Sequence, residues 1–187
     1  MRHLQLCSAA LVGALALAAG LSTPTSATGA SLLKPGDEYL LAQIERKRDE
    51  TWRWQSLMRK PRTPSSNSAW RSIDPDYRRW VLRLWSKRAR EARTQAASPP
   101  RRMAWFCIYR HERHPRMGWR TRTRNGFYGG LQMNLEFQRI YGHDLLRRKG
   151  TADRWTPLEQ IWVAERAYRS GRGFYPWPNT ARACGLI

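Results

Sequence analysis

The 187-residue chain has room for one modest domain plus extensions, and a domain of that size can bury a real core. Its 34 basic and 14 acidic residues give a formal net charge of +20, which invites an anionic partner: nucleic acid, a membrane surface or an acidic wall polymer. Of the basic residues 29 are Arg and 5 Lys, a ratio that codon bias explains as well as selection for phosphate binding does, so charge alone assigns no partner. The sequence carries no nucleic-acid fold motif and no internal repeat.

Residues 1–30 read as a secretory signal peptide. Arg2 supplies the positive start, Leu4 to Leu21 form an apolar run, and T-S-A or T-G-A offers a small-residue cleavage site. The competing reading is a retained membrane anchor, for which the run is borderline against the roughly 20 residues a spanning helix needs. Export implies a secreted or wall-located protein, and Cys7 leaves with the signal. Cys107 and Cys184 then remain as an even pair in an oxidising compartment, and their disulfide is expected. Two free or metal-bound thiols are the alternative, opposed by the lack of a C-x-x-C pair or a histidine cluster.

Residues 31–100 read as a helical, Arg-rich extension with linkers. Leu40, Leu41, Ile44, Trp52, Trp54 and Leu57 predict a helix from about Asp37 to Arg59, closed by Pro61 and Pro64. T-P-S-S-N-S from Thr63 is a linker by composition. Asp74 and Pro75 then start a second helix. Tyr77, Trp80, Val81, Leu84 and Trp85 make one apolar stripe on it, with Arg78, Arg79, Arg83 and Lys87 largely off it. Ser98-Pro99-Pro100 marks a boundary, and these upstream helices are expected to be separable from the region that follows.

Residues 101–187 hold the groups with chemistry. Trp105 to Glu112 span about two helical turns, with Cys107 on the face of His111 and Ile108 on that of Glu112. The turn signal N-G-F-Y-G-G follows: Asn125-Gly126 marks a hairpin, and Gly129-Gly130 permits close approach of a ligand or a neighbouring strand. Phe127 and Tyr128 offer flat apolar faces and Gln132 an amide. A carboxylic acid, aromatic faces and amides in one place suit a carbohydrate. Asn134 to Tyr141 predict a short helix with Leu135, Phe137 and Ile140 inward, ended by Gly142. Thr156-Pro157 opens a longer helix that buries Ile161, Ala164, Ala167 and Tyr168 and ends at Gly171. The Pro-rich tail F-Y-P-W-P-N-T-A-R-A-C is expected to wrap the core.

Glu112, Trp119, the N-G-F-Y-G-G-L-Q run from Asn125 to Gln132, E-Q-I-W-V-A-E-R from Glu159 and the closing P-W-P-N-T-A-R-A-C together resemble the catalytic domain of resuscitation-promoting factors, a transglycosylase-like, lysozyme-related group that cuts peptidoglycan. The resemblance covers roughly Met103 to Ile187. This chain departs from the family in having Cys107 five residues before the glutamate rather than next to it, and a link from Arg113 to Gly118 that is two residues longer. The resemblance implies a mainly α, lysozyme-like (α+β) domain over 101–187, with a short β-hairpin flanking a substrate groove and two helices before it. It implies Glu112 as the single acid/base, with Trp119, Asn125, Tyr128 and Gln132 binding substrate. Glu136, Asp144 and Asp153 are present, but their spacing gives none the role of second carboxylate.

The implied substrate is the glycan strand of peptidoglycan, cut between N-acetylmuramic acid and N-acetylglucosamine. Glu112 would protonate the bridge oxygen, and water or the sugar's 6-hydroxyl would attack. No cofactor and no metal are expected, and the partners are peptidoglycan and anionic wall polymers rather than specific nucleic acid. Glu159, Gln160 and Glu165 match a family helix in which a structural role outweighs a catalytic one. A wall-binding module that kept the fold and lost activity is the alternative. A secreted cationic protein that binds nucleic acid or anionic lipid is the third reading.

Overall fold

The computed structural model describes residues 35–187; the expected signal peptide and its competing anchor lie outside that range. Among the described residues the protein is mainly helical with one small two-stranded antiparallel sheet. None of these helices is long and apolar enough to cross a membrane.

Two 23-residue helices, α1 (Pro35–Leu57) and α3 (Pro75–Ala97), pack through Leu41 and Ile44 against Val81 and Trp85. They run in the same direction. At their starts Asp37 pairs with Arg78 at 3.0 Å, and beyond the end of α1 Met58 packs with Ala96 near the end of α3. The connecting segment must therefore return along α1. Trp52 Nε1 donates to the Thr63 carbonyl at 2.9 Å, and the Gln55 amide exchanges two hydrogen bonds with Thr63. A single turn of helix, α2 (Ser68–Arg71), begins at the last residue of the stretch read as linker.

Asp74 caps α3, accepting from Asp76 N at 2.8 Å with Pro75 in the first turn, as expected. The buried stripe differs from the expected one. It passes through Arg78, Val81, Trp85, Ala89, Ala92 and Ala96, while Trp80 is 50 % exposed and stacks on Tyr77. Arg78, only 1 % exposed, is held by two hydrogen bonds and an ion pair: Nε donates to Ala69 O and Nη2 to Ser72 O, while Nη1 lies 3.0 Å from Asp37 without a hydrogen bond of its own. Hydropathy alone cannot anticipate that exchange of an arginine for a tryptophan.

Helix α4 (Arg102–Glu112) leads through a folded loop to strands β1 (Phe127–Tyr128) and β2 (Met133–Asn134), paired Phe127 to Asn134 and Tyr128 to Met133. Asn134 caps α5 (Leu135–Tyr141), accepting from Phe137 N at 2.8 Å. The inward face of α5 holds Phe137, Gln138 and Tyr141, and Ile140, expected inside, is 50 % exposed. Gln138 takes the inner place because its amide bridges Met133 O and Ala152 N, at 2.7 and 2.9 Å. Gly142 ends α5 but starts α6 (His143–Lys149), a helix the sequence reading lacked. A side chain at Gly142 would strike the Trp155 ring, 2.5 Å from an ideal Cβ.

Thr156 and Glu159 form a capping box for α7 (Pro157–Ala167), which is buried along almost its whole length. It ends four residues before Gly171, in a wider turn over Tyr168–Arg172 where Gly171 adopts φ 92°. The tail wraps the core through Phe174 and Trp177 and closes with α8 (Pro178–Ala183).

Ser98–Pro100 changes composition without breaking the packing. The described residues form one compact unit. Met58 and Ala96 share a cluster with Trp162 of α7, whose Nε1 donates to Ala96 O at 2.8 Å, and Arg166 donates to Leu57 O at 2.8 Å. Residues on both sides of the proposed boundary therefore share a core. A chain beginning at Pro100 exposes Trp162 and leaves these donors without acceptors. It is expected to lose the sharp thermal transition of the longer chain; an unchanged melting curve by circular dichroism would show that the upstream helices are separable after all.

Candidate active site

Glu112 is the last residue of α4, half-buried. A carboxylate at a helix C-terminus opposes the helix dipole, so helix stability does not explain it. Its Oε1 accepts a short hydrogen bond from the Thr180 hydroxyl on α8, and Oε2 has no partner among the described residues. None of the neighbouring arginines pairs with it. Arg113 instead lies 5.5 Å from the Tyr109 ring centroid and donates to Pro115 O at 3.1 Å.

The Cys107–Cys184 disulfide joins α4 to α8 with a Cα–Cα distance of 6.1 Å, as expected. It accounts for the meeting of Glu112 and Thr180. Glu112 is five residues after Cys107 and Thr180 four before Cys184, so each lies about one turn from the bridge along its own helix. Thr180 was missed in the sequence, although that spacing carried the signal. His111 shares the cysteines' side of α4, with ligand atoms of the three residues within 4.8 Å of one another. In the disulfide the two sulfurs are bonded to each other and offer no thiolate.

The loop after Glu112 is held by its own hydrogen bonds. Thr121 Oγ1 accepts from His114 N and donates to Gly118 O, and Thr121 O receives Gly129 N at 2.7 Å. Trp119 is half-buried, stacked on Tyr109 with centroids 4.0 Å apart and planes 6° apart. One face of its ring is thus taken by protein. Gly130 explains this closeness, since an ideal Cβ there would lie 2.6 Å from Tyr109 and 2.9 Å from Trp119. The adjacent glycines make room for the protein's own aromatic stack and for Gln160, which would lie 2.4 Å from a Cβ on Gly129.

Gln160 fixes the hairpin. Its Oε1 accepts from Gly130 N at 2.8 Å, and its Nε2 faces the carbonyls of Trp119, Ala152 and Trp155 at 2.9, 2.9 and 3.2 Å. Glu165, fully buried one turn further on, accepts from Trp105 Nε1 at 2.7 Å and from Arg101 Nη2 at 2.8 Å. Both residues therefore serve as buried structural links, in keeping with their sequence reading.

The remaining groove candidates are spread along the hairpin. Asn125 is exposed at the turn, bonded to the Thr123 hydroxyl. Tyr128 is half-buried in β1, with the Arg122 guanidinium 5.7 Å from its ring centroid. Gln132 adopts φ 47° and donates to Gly129 O at 2.7 Å, a left-handed conformation that costs a non-glycine residue energy. It also lines a cleft of about 240 Å³ with Phe127, Asn134, Glu136, Arg172 and Trp177. Glu112, Trp119, Asn125 and Tyr128 are not on the walls of that cleft. It brings Glu136 together with Gln132.

Set beside protein-family models, curated proteins and solved structures, the chain matches none.

Two outcomes follow from this geometry. Gln160→Ala leaves a buried N–H and several carbonyls unsatisfied, and is expected to cost about 3 kcal/mol or more in denaturant unfolding. Reducing the disulfide opens a 77-residue loop and is expected to cost about 4.5 kcal/mol by the chain-entropy estimate, read as a lower unfolding midpoint in reductant.

Proposed function

We propose that the protein is an exported peptidoglycan glycosidase of lysozyme-like fold, with Glu112 as its single acid/base. One observation carries the reading. In a chain of net charge +20, the half-buried Glu112 has no cation within ion-pair distance among the described residues and is held through one oxygen by a neutral hydroxyl. The carboxyl group is oriented without being neutralised, and its second oxygen is free to meet a glycosidic oxygen. The fold-level support is a helical body with a small hairpin next to the acid-bearing helix, and the motif from Asn125 to Gln132 supplies the family argument.

In this scheme Glu112 donates a proton to the bridge oxygen as positive charge develops at the anomeric carbon. Because no second carboxylate adjoins it, the substrate's acetamido group or the field of the site stabilises that charge. The ionised Glu112 then accepts a proton from attacking water, giving hydrolysis, or from the sugar's 6-hydroxyl, giving an anhydro product. Thr180 orients the carboxyl group throughout. The cleft at Gln132 and Glu136 serves as a neighbouring glycan subsite.

The absence of Glu112 from the cleft walls favours a second reading, a wall-binding module without activity. Glu112→Gln separates the two. It keeps size and hydrogen bonding but cannot supply the acid, so release of soluble fragments from purified wall should fall by at least about 100-fold while binding and melting temperature are retained. Equal rates in parent and variant would remove Glu112 from the mechanism, and a parent that binds wall without cutting it would establish the second reading. Thr180→Val is expected to lower the turnover rate at intact stability, with Thr180→Ser restoring most of it.

A further inference from the structure

A cavity of about 960 Å³ lies between the second half of α1 and the corner of α6 and α7, with no residue of the Glu112 site on its walls. Arg53, Arg62, Arg147, Arg148 and Arg166 line it. None of the five has a carboxylate within ion-pair distance among the described residues. Of the acids on the same walls, Glu159 pairs with Lys149, itself on the wall, at 2.6 Å and Asp49 pairs with Arg48 at 3.2 Å, which leaves Asp144 against the five guanidiniums. The groove thus concentrates positive charge that the protein does not itself balance.

Arg166 is the most demanding of the five. Its terminal nitrogens donate to Tyr141 O and Leu57 O, while Nε is buried with no partner. Burial, followed by the nearby Arg59, pushes its guanidinium down to about 10, with Asp144 acting in the opposite direction. An anion entering the groove would offset the electrostatic cost of that burial.

The chemistry of that anion is narrowed by the other groups present. Nucleic acid bases would need open aromatic faces to stack on, yet Trp52 carries the guanidiniums of Arg48 and Arg62 at 4.8 and 5.4 Å, and Trp54 carries Arg53 at 5.2 Å. The five guanidiniums are spread over α1, the segment after it, α6 and α7, which suits a ligand that repeats its charge along a chain, and each guanidinium fork matches a pair of phosphate oxygens. We propose that this groove binds a base-free, phosphodiester-linked polymer such as a polyol phosphate, running between α1 and the α6–α7 corner. The proposal stands on the groove alone and is independent of the chemistry at Glu112.

The test titrates the full exported chain with poly(glycerol phosphate) at low salt by calorimetry. The variant Arg53→Gln/Arg62→Gln/Arg147→Gln removes three exposed groove charges. The control Arg83→Gln/Arg90→Gln/Arg93→Gln removes as many from exposed positions on α3 that do not line the groove. The groove variant is expected to lose at least about tenfold in affinity and the control less than about threefold. Equal losses, or no saturable binding by the parent, would overturn the proposal. Single-stranded DNA with the same number of phosphates is expected to bind more weakly and without dependence on the groove; equal affinity with the same dependence would replace the base-free ligand by a nucleic acid. Should the triple variant melt early, single Arg53→Gln and Arg147→Gln variants are compared with Arg83→Gln, and an undiminished affinity in both groove variants also overturns it.

Discussion

The Gln160 carboxamide is the link on which the candidate site depends. A single neutral side chain, wholly buried on α7, binds the backbone at Trp119, Gly130, Ala152 and Trp155. Those positions belong to the loop after Glu112, to the hairpin and to the approach to α7, which have little regular structure of their own. A two-residue strand pair is too small to hold itself in water. Anchoring it to a buried helix lets a short, glycine-rich segment keep a defined place beside α4, and the Tyr109–Trp119 stack fills the space that Gly130 leaves.

The same body shows how a strongly basic chain folds. Arginines are used as donors to backbone carbonyls where loops leave them unpaired: Arg78 at Ala69 and Ser72, and Arg166 at Tyr141 and Leu57. Others lie over aromatic rings, as Arg101 does 3.6 Å from the Tyr168 centroid. Both uses satisfy or cover polar and aromatic groups, and Arg78 and Arg101 add ion pairs with Asp37 and Glu165 while Arg166 has none. Glu112 has no guanidinium at ion-pair distance, as Glu136 and Asp153 have none, and the α1–α6–α7 groove holds guanidiniums without carboxylate partners.

The elements with explicit local signals were readable from sequence. Asp74-Pro75 and Thr156-Pro157 start helices where their caps require, Asn125-Gly126 precedes the hairpin, and Cys107 and Cys184 form the expected disulfide. The misreadings arose where a polar side chain took an apolar place. Arg78 and Gln138 are buried because backbone groups outside their own helices bind them, and Trp80 and Ile140 are displaced to the surface. The junction at Ser98–Pro100 looked like a domain boundary because proline and serine mark linkers, yet the Trp162 indole reaches back to Ala96. At the candidate site, the motif around Glu112 pointed to that residue, whereas its contact with Thr180 required the disulfide to be used as a ruler.

The central claim is that the oriented, unpaired carboxyl group of Glu112 cuts a glycan. Mass spectrometry of the soluble fraction released from purified peptidoglycan by the folded, disulfide-intact protein tests it most directly. The account predicts disaccharide–peptide fragments ending at N-acetylmuramic acid, either reducing or anhydro. Intact glycan strands with no such fragments, from protein that remains bound to the wall, would contradict it.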